Sequence, residues 1–99
     1  MNIVEIKKIL EKNNNDLRQT FRVTEIGIFG SFVKEKEKID DDSDIDVLVT
    51  FEKGYKDFFN YMRLEYYMEN LLGREVDLVI KEAVKPRLKE RIFREVEYV

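Results

Sequence analysis

The stretch IFGSFVKEKEKIDDDSDIDVLV, residues 28–49, decides the fold. An apolar run ends in Gly30 and Ser31, a charged segment follows, and Asp44 and Asp46 open a second apolar run. We interpret this order as a strand, a glycine turn, a short helix, an acidic loop and a second strand. Side chains alternate along a strand, so the two aspartates should share one face, roughly 6–7 Å apart.

The glycine turn and the paired carboxylates together suit phosphate chemistry. Glycine lets the backbone turn sharply and approach a ligand, and Ser31 at a helix start offers a hydroxyl and backbone N–H groups to a phosphate. Mg²⁺ is typically held by one or two carboxylates plus substrate phosphates, and two such ions can clamp an in-line displacement. The ordered set therefore favours metal-assisted nucleotidyl transfer, whereas a Gly-Ser pair alone would be weak evidence.

Composition removes several other classes of protein. The chain has 99 residues, which predicts one domain over residues 1–99, and neither cysteine nor histidine occurs in it. Thiolate catalysis, disulfides and histidine-ligated metal sites are thereby excluded, and any general base must be a carboxylate. A net charge of −3 argues against strong direct binding to nucleic acid. Without a signal-peptide pattern or a membrane-length apolar run, a cytoplasmic protein is expected.

Helical and strand patterns alternate along the chain, which predicts an α/β fold. The predicted elements are an N-terminal helix capped by Asn2, a solvated turn at the asparagine run 13–15, a strand Val23–Phe29, a helix from Ser31 to about residue 38, a helix over 57–72, a strand Val76–Ile80, and a helix that begins at Pro86. Asp57 and Gly73 suit the start and the end of the long helix. Gly27 is expected to ease close packing within its strand.

Three further patterns have competing interpretations. A calcium loop starting at Asp40 fails, because Ile45 stands where glycine is required and Phe51 where glutamate is required. The aromatic residues of the long helix could stack on adenine, but core or interface packing is favoured. The basic residues of the last helix, Lys85, Arg87, Lys89, Arg91 and Arg94, favour a solvated face or a partner contact over catalysis.

These residues resemble the signature of the DNA polymerase β nucleotidyltransferase superfamily, which is Gly-Ser, about ten residues, and Asp-x-Asp. The resemblance is closest to the minimal nucleotidyltransferases (MNT) that pair with HEPN toxins, and it runs from about residue 26 to the C-terminus. Gly30, Ser31, Asp44 and Asp46 fall on the signature, and Asp77 matches the third carboxylate on a later strand. Twelve residues separate Ser31 from Asp44, two more than usual, and VKEK stands where the family often has Ala-Arg-Gly-Glu.

The resemblance implies a small mixed β-sheet with flanking helices, like the polymerase β palm. It implies Mg²⁺-dependent transfer of AMP from ATP to a tyrosine hydroxyl of a HEPN ribonuclease toxin, so that the chain is an antitoxin in a hetero-oligomer. Asp44, Asp46 and Asp77 would be the catalytic residues and would ligate two Mg²⁺ ions. Gly30 and Ser31 would bind the nucleotide, together with Lys34 in place of the family's arginine.

Two alternatives stay open. One is an enzyme of the same superfamily that acts on a small molecule or an RNA end, although such enzymes usually carry a further substrate domain. The other is a non-catalytic module that neutralises a toxin by covering it, although all three carboxylates are retained here. A HEPN-type neighbouring gene would favour the toxin partner.

Overall fold

A computed structural model of the protein describes residues 1–34 and 43–99. In chain order the elements are α1 (Ile3–Lys12), α2 (Asn14–Gln19), β1 (Val23–Phe29), α3 (Ser31–Lys34), β2 (Ile45–Phe51), α4 (Phe58–Leu72), β3 (Val76–Ile80), a 3-10 helix (Lys81–Ala83), α5 (Pro86–Glu95) and β4 (Glu97–Tyr98). The predicted α/β class and the three predicted strands are confirmed. The part of the predicted third helix beyond Lys34 lies outside the described residues.

The strands form one mixed sheet in the order β3-β2-β1-β4. β2 pairs antiparallel with β1 and parallel with β3, while β4 pairs antiparallel with β1 on its other side. The small β4 strand was not predicted, since two residues are too few to show a period. An added Cβ atom on Gly27 would lie 2.7 Å from Val96 Cγ2 and 3.2 Å from Glu97 O of β4, so the close packing expected at this glycine is confirmed.

The two faces of the sheet are covered unequally, and the period of two in the strands assigns residues to each. Ile28 of β1 and Val47 of β2 point into the larger core, which α1, α2 and α4 cover. Phe29 and Leu48 point to the opposite face, where α5 contributes the buried Ile92. Because α5 covers only part of this face, a cleft is left beside it.

Most helices begin and end where the sequence predicts. Asn2 Oδ1 accepts a hydrogen bond from Glu5 N at 3.0 Å, Asp57 Oδ1 accepts one from Asn60 N at 2.9 Å, and Gly73 ends α4 with φ 68°. Pro86 is the first residue of α5.

The asparagine run corrects one expectation. Asn13 ends α1, but Asn14 and Asn15 begin α2 rather than forming a solvated turn. The reason is tertiary, since Leu17 of α2 is almost fully buried and holds the second helix against the core.

The aromatic residues of α4 divide into two groups. Tyr61 is partly buried and its hydroxyl donates to Leu78 O at 2.6 Å, as the packing interpretation predicts. Phe58, Phe59 and Tyr66 are instead well exposed, at 69%, 78% and 72%. None of these side chains lines the cleft beside α5. Within the described parts of the chain, every helix is too short or too polar to cross a membrane.

Candidate active site

A cleft lies between the start of α3 and α5, over the end of the sheet that carries Asp46 and Asp77. Its volume is about 600 Å³. Five of the six residues predicted from the sequence as site residues line it, namely Gly30, Ser31, Lys34, Asp46 and Asp77. The sixth, Asp44, is exposed and directly precedes β2 without lining the cleft. Because β2 begins at Ile45, Asp44 lies just outside the strand that was expected to carry both aspartates.

Asp46 and Asp77 are direct neighbours in the parallel pair of β2 and β3. Their register is set by apolar partners on either side, Ile45 opposite Val76 and Val47 opposite Leu78, all buried in the larger core. A shift by one residue would turn those side chains out of the core. Core packing thus brings together two carboxylates that are 31 residues apart in the chain.

The electrostatics of the site follow from this crowding. The pKa of Asp46 is raised from 3.8 to about 6, first by burial and then by the charges of Asp77, Asp44 and Glu95. Burial disfavours the charged form of a carboxyl group, and nearby carboxylates do the same. The site therefore holds negative charges that repel one another.

Gly30 has a second role that the sequence did not suggest. Its φ is +77°, in the left-handed region, and an added Cβ atom would lie 2.9 Å from Asp46 Cγ and closer still to Oδ2. The peptide after Gly30 starts α3, with Val33 N and Lys34 N donating to Gly30 O at 3.0 and 3.1 Å. Glycine is needed here both for the turn and for room beside the carboxylate.

Glu95 is a site residue that the sequence analysis missed. Its side chain is only 14% exposed; Oε1 accepts a hydrogen bond from Gly30 N at 3.1 Å, and Oε2 pairs with Lys34 Nζ at 3.2 Å. One signal was available, because Glu95 follows Arg91 by four residues and Ile92 by three, so all three lie near one side of α5. A carboxylate on the side of a helix that also carries a buried isoleucine needs a polar partner.

The basic side of α5 contributes residues to the cleft. Arg87, Arg91 and Lys85 line the same cleft as Asp46 and Asp77. These residues were assigned to a solvated face or a partner contact. Their side chains are exposed, as a solvated face requires, and part of this exposed surface lines the cleft.

The donor set fits a hard divalent cation. All three predicted ligands are carboxylates, and the crowding of Asp46 and Asp77 is a repulsion that a cation would relieve. Within residues 1–34 and 43–99, no three acidic side chains are close enough together to enclose an ion on their own. Mg²⁺ does not require such a cage, because it commonly completes its shell with substrate phosphates and water.

Comparison with known proteins shows the family to which the chain belongs. Residues 4–99 match the nucleotidyltransferase domain family. The chain is 42% identical over 99 residues to the protein adenylyltransferase MntA of Thermococcus cleftensis, an alignment that covers 100% of this chain and 97% of the relative. A solved, provisionally named minimal nucleotidyltransferase superposes with a TM-score of 0.78 at 33% identity, covering 98% of this chain and 95% of the other.

Two more distant structures share the fold. One is a complex of a tri-AMPylated Shewanella oneidensis HEPN toxin with an MNT antitoxin, with a TM-score of 0.65, 19% identity, and coverage of 99% of this chain and 71% of the other. The other is a toxin–antitoxin structure with AMP-PNP, with a TM-score of 0.66, 22% identity, and coverage of 99% and 72%. The protein is thus an enzyme of the nucleotidyltransferase domain family, and within that family it belongs to the minimal nucleotidyltransferases.

Proposed function

We propose that this enzyme transfers AMP from ATP, with Mg²⁺, to a hydroxyl of a partner protein, a tyrosine of a HEPN toxin, and so acts as an antitoxin. The observation that carries the proposal is the pairing of Asp46 with Asp77 beside the Gly30 turn. It brings carboxylates that suit a metal next to backbone that suits a phosphate, inside one cleft.

Each residue of the site has its own role in the proposed reaction. The turn at Gly30 and Ser31 binds the β- and γ-phosphates, with Lys34 beside it. Asp44, Asp46 and Asp77 would hold the metal beside the triphosphate. Asp77 accepts the proton of the acceptor hydroxyl, whose oxygen bonds to the α-phosphorus while the bond to the leaving pyrophosphate breaks. Bound Mg²⁺ would offset the repulsion between the triphosphate and these carboxylates, and it would polarise the phosphate that is attacked.

Two observations support a protein acceptor. The relative at 42% identity is named a protein adenylyltransferase, and a structural neighbour is a complex with a tri-AMPylated HEPN toxin. The cleft is about 600 Å³, which is the size of a nucleotide site and leaves little space for a second small substrate. A partner that brings its own hydroxyl into line would supply what the small chain lacks.

Incubation with ATP labelled in the α-phosphate tests the proposal against its rivals. The enzyme, Mg²⁺ and the HEPN-type product of a neighbouring gene are combined, and the label is followed into protein, RNA and small molecules. Label on the partner protein, absent with the Asp46→Asn variant, is the expected result. Label on RNA or a small molecule would favour the other enzyme class, and toxin inhibition without any label would favour a covering module.

A further inference from the structure

We propose that Arg87 and Arg91 of α5 form a second phosphate-binding wall, which holds the terminal phosphates of the nucleotide opposite the Gly30 turn. The inference rests on the proposed function and adds residues to its nucleotide site. The two arginines are four residues apart and lie on the same side of the helix, so their guanidinium groups can act on one ligand.

The first support is that these cations have no carboxylate partner among the described residues, although other cations near the sheet have one. Lys34 pairs with Glu95 at 3.2 Å, Lys81 with Glu25 at 3.1 Å and Lys56 with Glu82 at 3.0 Å, and Arg94 pairs with Glu90. Arg87 and Arg91 instead line the cleft. Unpaired guanidinium groups beside a cavity attract an anionic ligand, and their planar fork suits phosphate oxygens.

The second support is the charge balance of the cleft. Asp46, Asp77 and Glu95 place three carboxylates along it, and Glu95 already compensates the charge of Lys34. Once a triphosphate adds its own negative charges to these carboxylates, the cleft holds more negative than positive charge, even with a metal ion at the aspartates. Apart from Lys34, which is paired with Glu95, the basic residues of the described lining are Lys85, Arg87 and Arg91, so the two arginines supply most of the remaining positive charge.

The third support is the rigidity of the helix that carries them. Ile92 and Val84, at either end of this segment, are buried with Phe29 and Leu48 of the sheet, and Leu88 packs on the same cluster. Pro86 fixes the first turn of α5. The arginines therefore project from a helix whose position is fixed by packing, as a specific phosphate site requires.

The test compares ligands that differ in their phosphates. Inorganic tripolyphosphate, a non-hydrolysable ATP analogue and AMP, each with Mg²⁺, are titrated calorimetrically into the wild type, Arg87→Gln and Arg91→Gln. Each variant should bind tripolyphosphate and the ATP analogue about 10-fold more weakly, a loss in the range of one charge-assisted hydrogen bond. AMP affinity should change less than about twofold.

Lys89→Gln and Arg94→Gln are matched controls, because both residues are exposed on α5 without lining the cleft. They remove the same charge from the same helix, and all three affinities should stay within about twofold of wild type. If the controls lose as much affinity as the cleft variants, the effect is due to net charge alone, and the inference is overturned. Circular dichroism confirms that each variant remains folded.

Two other outcomes would also overturn it. If the ATP analogue binds the arginine variants as tightly as wild type while partner binding is lost, α5 is a docking surface instead. If wild type does not bind tripolyphosphate, the wall does not exist. The proposed function fails separately: arginine-dependent binding of tripolyphosphate by an enzyme that transfers no AMP would leave the phosphate wall standing and remove the transfer reaction.

Discussion

Gly30 and Asp46 approach so closely that no side chain fits between them. An added Cβ atom on Gly30 would overlap the Asp46 carboxylate, and the φ of +77° at Gly30 already disfavours other residues. The turn that is proposed to bind phosphate and the strand that is proposed to hold the metal are thereby in direct contact. Any change at Gly30 should therefore act on both functions at once.

Substitution of Gly30 tests that joint effect. Gly30→Ala should cost about 2 kcal/mol or more in unfolding free energy and should weaken Mg²⁺-nucleotide binding, because strain and overlap add. Gly73→Ala is the matched control, since Gly73 has φ +68° and open space around it. It should cost about 1 kcal/mol and leave binding unchanged. Equal effects of the two alanines on nucleotide binding would contradict the close contact.

Gly30→Val should weaken nucleotide binding more than Ser31→Ala does. The β-branched side chain disfavours the turn and fills the space beside Asp46, whereas Ser31→Ala removes one hydroxyl and keeps the backbone donors. The serine variant should lose about 1 kcal/mol of nucleotide binding. Calorimetric titration with a non-hydrolysable ATP analogue ranks them, and the reverse ranking would mean that the turn faces away from the phosphates.

Asp44→Asn and Asp46→Asn should each nearly abolish transfer while the protein stays folded. Both substitutions remove a proposed metal ligand, and they also remove a charge that repels its neighbours. Activity is measured by label transfer and folding by circular dichroism. Asp57→Asn is a suitable control, because asparagine also caps helices and Asp57 lies at the start of α4, away from the cleft. Turnover within severalfold of wild type in a folded cleft variant would refute the assignment.

Stability should depend on pH through Asp46. Its pKa is raised to about 6 in the folded protein from 3.8, so between these values the folded state holds more proton than the unfolded state. Unfolding free energy should therefore fall as pH rises from about 4 to 6, and it should stay lower above that. Solvent screening at this half-exposed site limits the contribution to about 1 kcal/mol.

The difference between wild type and Asp46→Asn isolates this contribution. Urea denaturation without metal should find the variant more stable at pH 7.5 and no more stable at pH 4. A difference that does not change with pH would show that Asp46 ionises as an ordinary surface carboxylate.

Glu95 should stabilise the turn through its bond to Gly30 N. Glu95→Ala leaves that N–H group without its acceptor and should cost about 1–2 kcal/mol, while Glu95→Gln keeps an oxygen and should cost less. Glu90→Ala is the control, because its side chain is 83% exposed and pairs with Arg94 at the surface. If Glu95→Ala and Glu90→Ala have the same denaturation midpoint, the buried bond contributes nothing.

The sequence could predict those parts of the site that local pattern determines. The Gly30–Ser31 turn lies between a strand and a helix, and Asp46 stands among alternating apolar residues, so their local structure follows from period and turn chemistry. The role of Asp77 was predicted only from the family resemblance, and its position beside Asp46 depends on how β3 pairs with β2. The alternation of apolar residues fixes the face on which each aspartate lies, but it does not determine which residue of β3 lies opposite Asp46.

The residues of α5 show where sequence reasoning stops. The helix and its start at Pro86 were predicted, but the direction in which it crosses the sheet depends on Ile92 meeting Phe29 and Leu48. That packing turns Glu95 towards Gly30 and Arg91 into the cleft. Helical spacing places Glu95 and Arg91 on the same side of α5 as Ile92, but it does not identify what either charge contacts.

Intact-mass spectrometry of the HEPN-type partner tests the central claim most directly. The partner is incubated with ATP and wild-type enzyme, with Mg²⁺ or with excess chelator, and in parallel with Asp46→Asn enzyme and Mg²⁺. The account predicts a mass increase of one or more adenylyl groups, on tyrosine, only with wild-type enzyme and Mg²⁺. An unmodified partner in that sample, or equal modification by the Asp46→Asn enzyme, would contradict it.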